Sequence, residues 1–290
     1  MIISASFSTA DDNLIVALSD GDILGWDVVN LEIVQRFNLD AQNRRTGSIA
    51  HFAFSENGRR FVCARITGPL TVWNRDEKSG EYTLSDTLRA PKVELMSISD
   101  NGTIVWGAAG SGIHLKRPGA DAIHLPVDLF LTEGARNKLT ALAVSPDAQM
   151  LAYATGDRVI VASVGDVVMN PATFTPIFDS PCRAGQVNAL KFHQGAKFLA
   201  CAGWRGVEIL DFRNHQRTAQ IVLGEGHTRA IAFSLEGHVA CVGSSGVSVF
   251  SLRDRRSIYR KDVSDVSSVA FSLDSSVLAV TRRREVELWS

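Results

Sequence analysis

Seven histidines, four cysteines and a few adjacent carboxylates are the residues of this 290-residue chain best suited to chemistry. The histidines (His51, His114, His124, His193, His215, His227 and His238) never fall at a metal-ligand spacing, and the chain has no H-E-x-x-H, EF-hand loop, G-x-S-x-G elbow or Walker loop. Cys63, Cys182, Cys201 and Cys241 lie far apart with no C-x-x-C pair, which reads as reduced core thiols and not as a disulfide frame or a zinc site. The paired acids Asp11-Asp12 and Asp76-Glu77 sit in solvated turn sequence, where two carboxyl groups have no reason to separate their pKa values into an acid and a base. Gly107-Ala108-Ala109-Gly110-Ser111-Gly112 has the glycines of a phosphate loop but no following helix to aim amides at an anion, so it reads as a turn between strands. The sequence therefore predicts no catalytic residue, no metal and no cofactor.

Charge and hydropathy narrow the partners. Thirty basic residues against 31 acidic give net charge −1, so no long-range field draws the chain to nucleic acid or an anionic membrane. With 45% hydrophobic and 21% charged residues the composition is that of a folded chain. The start, MIISASFSTADDNL, has no basic flank to a continuous apolar run, and no 18-residue uncharged apolar stretch occurs, so neither a secretory leader nor membrane insertion is expected. The sequon Asn101-Gly102-Thr103 would matter only outside the cell and reads as a turn. These features predict an intracellular protein, cytoplasmic or nuclear.

What organises the chain is a repeat. A short alternating apolar run, a polar anchor and a turn recur seven times, with anchors at Ser8, Ser55, Ser99, Ser145, His193, Ser234 and Ser272 spaced 47, 44, 46, 48, 41 and 38 residues apart. Within the first unit IISASFS, NLIVALS, DILGWDVV and EIVQRFNL are four runs of strand length divided by turn residues. The second repeats this with IAHFAFS, RRFVCARI, PLTVWNR and YTLSDTLR, split by Asn57-Gly58 and Gly68-Pro69. No 3.6-residue apolar stripe stands out, so an all-β chain with essentially no helix is expected. Seven four-stranded meanders bury both faces only when stacked radially, which is the β-propeller arrangement. The expected blades run 1–40, 47–90, 93–130, 138–180, 186–223, 227–263 and 265–290, one propeller filling the chain.

The sequence resembles the WD-repeat propellers. Trp26-Asp27 closes the third strand of the first unit as the family's dipeptide does, and Asp20 matches its structural aspartate. Trp73-Asn74, Leu210-Asp211 and Trp289-Ser290 are decayed copies, and Gly226-His227 matches the Gly-His that precedes a first strand. No unit carries both pairs, so the resemblance implies side-chain networks that are incomplete and blades held by apolar packing. It also implies that the d-to-a and b-to-c loops share one face, with strands lettered from axis to rim. Trp26, Trp73 and Trp106 are then expected in the core.

Two places remain for function. The first is the loop face, which carries Arg44, Arg45, Arg65, Arg136, Lys138, Arg158, Arg183 and Arg205 among acids such as Asp20, Asp157 and Asp179. Trp204, between Gly203 and Arg205 in a turn with no core position to fill, is either an interface anchor or an indole folded over the blade top. Trp204, Arg205, Arg44, Arg65 and Arg158 are the expected partner-binding residues. The second is the seventh blade, where strand a starts the chain at Ile2 and strand c ends it at Trp289, leaving that blade three-stranded. For its edge, Arg284, Glu285, Val286, Glu287, Leu288 and Trp289, three readings stand: the chain is cut from a longer one, a protein partner or second copy adds the strand, as open coat-complex propellers of the family do, or the bare edge protects itself with charge. The expected function is a non-catalytic protein-interaction scaffold or adaptor subunit. The alternatives are an enzyme with its site over the axial channel, and a phosphate or nucleic-acid binder on the arginine-bearing face.

Overall fold

The computed structural model describes residues 1–8, 12–39, 48–66, 68–90, 92–108, 112–125, 138–211, 216–221 and 227–290. Their strands form seven antiparallel sheets. Blade 1 holds β1 (Ile2–Phe7), β2 (Leu14–Leu18), β3 (Asp22–Asp27) and β4 (Glu32–Asn38); blade 2 holds β5 (Ile49–Phe54), β6 (Arg60–Arg65), β7 (Leu70–Arg75) and β8 (Tyr82–Leu88). Blade 3 follows with β9 (Val93–Ile98), β10 (Ile104–Ala108), β11 (Gly112–Lys116) and β12 (Ile123–Leu125), and blade 4 with β13 (Leu139–Val144), β14 (Met150–Thr155), β15 (Arg158–Ser163) and β16 (Phe178–Pro181). Blade 5 comprises β17 (Val187–Phe192), β18 (Leu199–Gly203), β19 (Gly206–Asp211) and β20 (Gln216–Ile221), and blade 6 comprises β21 (Thr228–Phe233), β22 (His238–Gly243), β23 (Gly246–Ser251) and β24 (Arg256–Lys261). Blade 7 has three strands, β25 (Val266–Phe271), β26 (Leu278–Arg282) and β27 (Val286–Trp289). The architecture is the seven-bladed propeller that the repeat predicted.

The core lies between blades. Each strand turns alternate residues to the preceding and the following sheet, so every interface is an apolar layer two blades share. Blade 1 meets blade 2 through Ile15, Ile23, Phe52, Phe61 and Trp73, and the ring closes where Phe7, Leu14 and Val16 of blade 1 meet Ala270 and Ala279 of blade 7. Trp73 and Trp106 are core residues, at 5% and 2% exposure. Trp26 is only partly buried, against the expectation for its position.

The polar anchors turn out to be structural. Ser55, Ser99, Ser145, Ser234 and Ser272 are buried at the ends of a strands. The Ser145 hydroxyl accepts the Met150 amide at 2.9 Å and donates to Asp147 at 2.5 Å; Ser55, Ser99 and Ser272 make the same pair of bonds, with Asn57, Asn101 and Asp274 as acceptors. Three residues after the other six anchors, Ser8 aside, the backbone is left-handed, at Gly58, Gly102, Ala148, Ala196, Gly237 and Ser275. Each of these returns its amide to the anchor's carbonyl. These are tight hairpin loops, of three residues after Ser99 and Ser234 and of four after Ser55, Ser145, His193 and Ser272, and the turn sets strand register. Ser145→Ala is expected to cost about 1–3 kcal/mol by leaving the Met150 amide and the Asp147 carboxylate without their partner. The shift of the urea midpoint measures it.

One element departs from the expected all-strand pattern. Helix α1 (Val164–Met169) is inserted between β15 and β16, with Ser163 capping the Asp166 amide and Val164 and Val167 buried. Six residues are too few for a 3.6-residue stripe to show in sequence. No helix among the described residues is long and apolar enough to cross a membrane.

Candidate functional site

The d-to-a and b-to-c connections share one face and are laced together there. Arg205 donates its amide to the Ala184 carbonyl at 2.9 Å, Ser244 to His227 at 3.1 Å and Val187 to Gly156 at 2.7 Å. Where blades 2 to 5 start their inner strands, this face opens a funnel of about 440 Å³. Arg65, Lys92, Lys138 and His51 line it beside Glu94 and Ile66. Lys138 lies 3.7 Å from Glu94. Burial pushes the His51 imidazole below its ordinary pKa, which keeps the ring neutral near pH 7. The funnel thus holds three fixed cations around one carboxylate, and Ile66 at its lip is 63% exposed.

Beneath it, the axial channel encloses about 270 Å³ between inner strands. Ser4, Ser6, Ser97 and Ser268 alternate there with apolar residues. Glu56 of blade 2 and Lys191 of blade 5 form an ion pair across it. Desolvation by burial raises the pKa of the neighbouring Asp100 carboxyl, which nonetheless accepts the Asn57 amide at 2.9 Å while its own carbonyl accepts from Arg60. Burial also lowers the His193 pKa, and the ring stands edge-on to Phe198 and Phe233. Each acid here is bound to a protein partner, and no group of three His, Cys, Asp or Glu among the described residues could hold a metal. All four cysteines are buried, and no disulfide joins them.

The sequence-predicted binding residues fall in separate blades. Trp204, 50% exposed, rests an edge on His227 of blade 6 with ring centroids 4.2 Å apart, so it is half anchored and half presented. Arg205 is exposed beside it. Arg65 belongs to the funnel wall. Arg158 is held by Asp179 through two contacts of 2.6 and 2.9 Å, and the bond to Asp179 raises its pKa. Its fork is already spent on a carboxylate. Arg44 lies outside the described residues. Lys92, Glu94 and His51 were not singled out in the sequence, although each stands at or near the start of an inner strand, where the ring's topology gathers side chains at the axis.

The residues likened to the WD-repeat network serve local turns. Asp20 accepts the Asp22 amide at 3.2 Å, and Asp27 accepts the amides of Val29 and Asn30 at 2.8 and 2.9 Å. Those bonds, with that from the Asn30 backbone foremost, hold the Asp27 carboxyl below the usual range. Trp73 gives its indole N–H to Thr71 at 3.1 Å, Asp211 is buried at the end of β19, and His227 carries Trp204.

The last blade's edge is shorter than expected. Arg284 and Glu285 belong to the b-to-c turn, where Glu285 returns its carbonyl to the Arg282 amide at 2.8 Å, and only Val286 to Trp289 form strand. Arg282 reaches Glu285 at 3.4 Å and Glu287 at 3.1 Å. Lys261 of blade 6 stands 4.4 Å over the Trp289 ring.

Among solved structures, the β-propeller domain of Cps50 (Swd1) from Myceliophteria thermophila is similar over all of this chain and 96% of its own, with TM-score 0.74 and 12% identity. A chain of the mitotic checkpoint complex is similar over 98% of this chain and 85% of its own, with TM-score 0.71 and 15% identity. No protein-family model matches the chain, and no curated protein matches it in sequence. At such identities the likeness is one of fold, the β-propeller.

Proposed function

We propose that this chain is a non-catalytic interaction scaffold or adaptor subunit of an intracellular complex, binding a protein partner on its loop face. The observation that carries this reading is the funnel: three cations around one carboxylate with an exposed isoleucine at the lip suit an acidic side chain flanked by an apolar one. Trp204 and Arg205, residue types that dominate interface energetics, are exposed on the same face. One of the solved structures similar in fold is a multi-protein complex. Against an axial enzyme stands the engagement of Glu56, Asp100 and Lys191 with one another's blades. Against phosphate or nucleic-acid binding stands the pairing of Arg158 with Asp179 and of Arg183 with the buried Glu208.

The test uses the protein bound to the tagged chain, identified and then purified. Trp204→Ala is expected to weaken its binding roughly thirtyfold, as losing a hot spot of about 2 kcal/mol does. The melting temperature should stay within about 2 °C of the parent's, because the half-exposed indole fills little core. Arg65→Ala paired with Lys92→Ala should weaken binding further at low salt than at high salt. Binding unchanged in every variant would place the partner elsewhere on the ring.

A further inference from the structure

Two histidines meet across the outer hairpin of blade 3. Trp106 of β10, His114 of β11 and His124 of β12 stand directly opposite one another in the strand registers, so their side chains share one face of the sheet. That face is turned to blade 2, since Trp106 belongs to the apolar layer that holds Val62 and Ala64. The His114 ring lies flat on the Trp106 indole, with centroids 5.1 Å apart and planes 10° off parallel. Face-on stacking holds the ring in place but leaves its edge, where both nitrogens point, clear of the indole. The His124 ring stands 4.9 Å from that of His114, inclined to it by 48°. His114 is partly buried and His124 is exposed. No metal-ligand spacing announces this pair in the sequence, because the hairpin register brings together residues ten apart.

The separation suits a shared ion. Two imidazole nitrogens bound to one zinc ion at about 2.1 Å put their ring centroids roughly 4.5–5.3 Å apart for N–Zn–N angles between about 90° and 110°. Burial lowers the His114 pKa, and the nearby His124 lowers it further, so the His114 ring is neutral near pH 7 and one of its nitrogens keeps the lone pair that a metal needs. Stacking alone gives no reason for two imidazoles here. Side by side they repel when both are protonated, a cost that two apolar rings would not carry. The neighbouring charges allow a cation. Lys116, two residues along β11, shares the face, but its ammonium stands 3.5 Å from Asp86 of blade 2 and donates to the Ala120 carbonyl at 2.7 Å, so its charge is offset.

We infer that His114 and His124 chelate one divalent transition-metal ion, zinc, with water in its remaining positions. Imidazole donors favour zinc or copper over magnesium or calcium, and zinc, with no geometric preference from its d electrons, accepts the angle that the hairpin sets. Held from two strands, the ion staples β12, only three residues long, to the rest of the blade. Two protein ligands are fewer than the four of a structural zinc centre, so the ion is exchangeable and the staple reversible. Both histidines lie outside the residues that line the funnel, and the inference does not depend on the scaffold reading.

The experiment titrates the 290-residue chain, first freed of metal with a chelator, with zinc against a chromogenic zinc indicator. His124→Ala removes the exposed ligand, and His114→Phe removes the other while keeping a ring on Trp106. Each is expected to weaken zinc binding at least roughly tenfold, and the double variant should be little worse than either single, since the two ligands act as one chelate. Copper(II) gives a second readout. Bound by the same pair, it lies beside the indole stacked on His114 and should quench part of the native tryptophan emission; zinc in large excess should restore the emission, and His124→Ala should abolish the quenching. If His114→Phe unfolds the blade, His124→Ala, a change at an exposed position, decides alone. No binding up to about 1 mM zinc overturns the inference. So does binding that is unchanged in His124→Ala, which would place the ion on other residues. The Trp204→Ala result reads the loop face separately, so the scaffold reading and the metal site can fail independently.

Discussion

Phe61→Ala is expected to lower the free energy of unfolding by about 3–5 kcal/mol, a large share of what holds an ordinary domain together. Phe61 is fully buried at the junction of blades 1 and 2. Its ring stacks on Phe52 with centroids 4.8 Å apart and on Trp73 at 5.8 Å, and meets Phe54 and Tyr82 at 5.7 and 5.0 Å. Removing it costs the transfer free energy of the ring and leaves a cavity whose walls cannot close. Phe52 and Trp73 are held by strand registers on both sides of Phe61, and Tyr82 is pinned by its hydroxyl, which donates to the Gly58 carbonyl at 2.6 Å. Phe61→Leu keeps most of the volume and should cost less than half as much. Urea unfolding followed by tryptophan fluorescence measures both. A loss below about 1.5 kcal/mol for the alanine variant would mean that the two blades repack, and that the interface is less rigid than close packing implies.

That cluster also shows which parts of the molecule were legible in sequence. The repeat was readable because the same physical need recurs in each blade: a buried strand, then a hydroxyl to satisfy the amide that ends it, then a left-handed residue. Ser145, Asp147 and Ala148 are one such set. The functional face was less readable, because the funnel's Lys92, Glu94 and His51 come from different blades and meet only when the ring closes. Glu208 sits in the strand GVEILD, where alternation puts a charged residue on a solvated face, yet it is fully buried. The Arg183 amide donates to its carboxylate at 2.6 Å, a contact carried by the d-to-a connection and invisible to a local pattern. Arg158 is expected from sequence among the partner-binding residues, but Asp179, 21 residues away, holds its guanidinium. Helix α1 was missed for want of length. The open blade was legible because counting strands needs no side-chain geometry, but which amides face outward depends on the pairing at Arg282 and Glu285.

Gly203→Ala should destabilise the chain by about 3 kcal/mol, at the upper end for forcing atoms into a filled site. A Cβ on Gly203 would lie 2.4 Å from the Ala184 carbonyl oxygen and 2.7 Å from that of Gln186. Both are backbone atoms of the d-to-a connection, so no rotamer change relieves the clash. Gly243, at the same place in blade 6, meets the His227 carbonyl at 2.3 Å, so the close approach belongs to the blade design and not to one loop. Gly156→Ala is the contrasting case. Its φ of +65° strains any side chain, but nothing lies within 4 Å, so about 1–2 kcal/mol is expected there. The two substitutions also differ in what they do to the loop face. Ala184 accepts the Arg205 amide, so backbone displaced by the new methyl group shifts the turn that carries Trp204 and lifts the indole from His227. Gly203→Ala is therefore expected to red-shift the Trp204 contribution to native-state emission, read as the difference from the same variant carrying Trp204→Phe, while Gly156→Ala leaves it in place. Equal urea midpoints for the two variants would show that the d-to-a connection yields to a methyl group, and that the position of Trp204 is set by its contact with His227 alone.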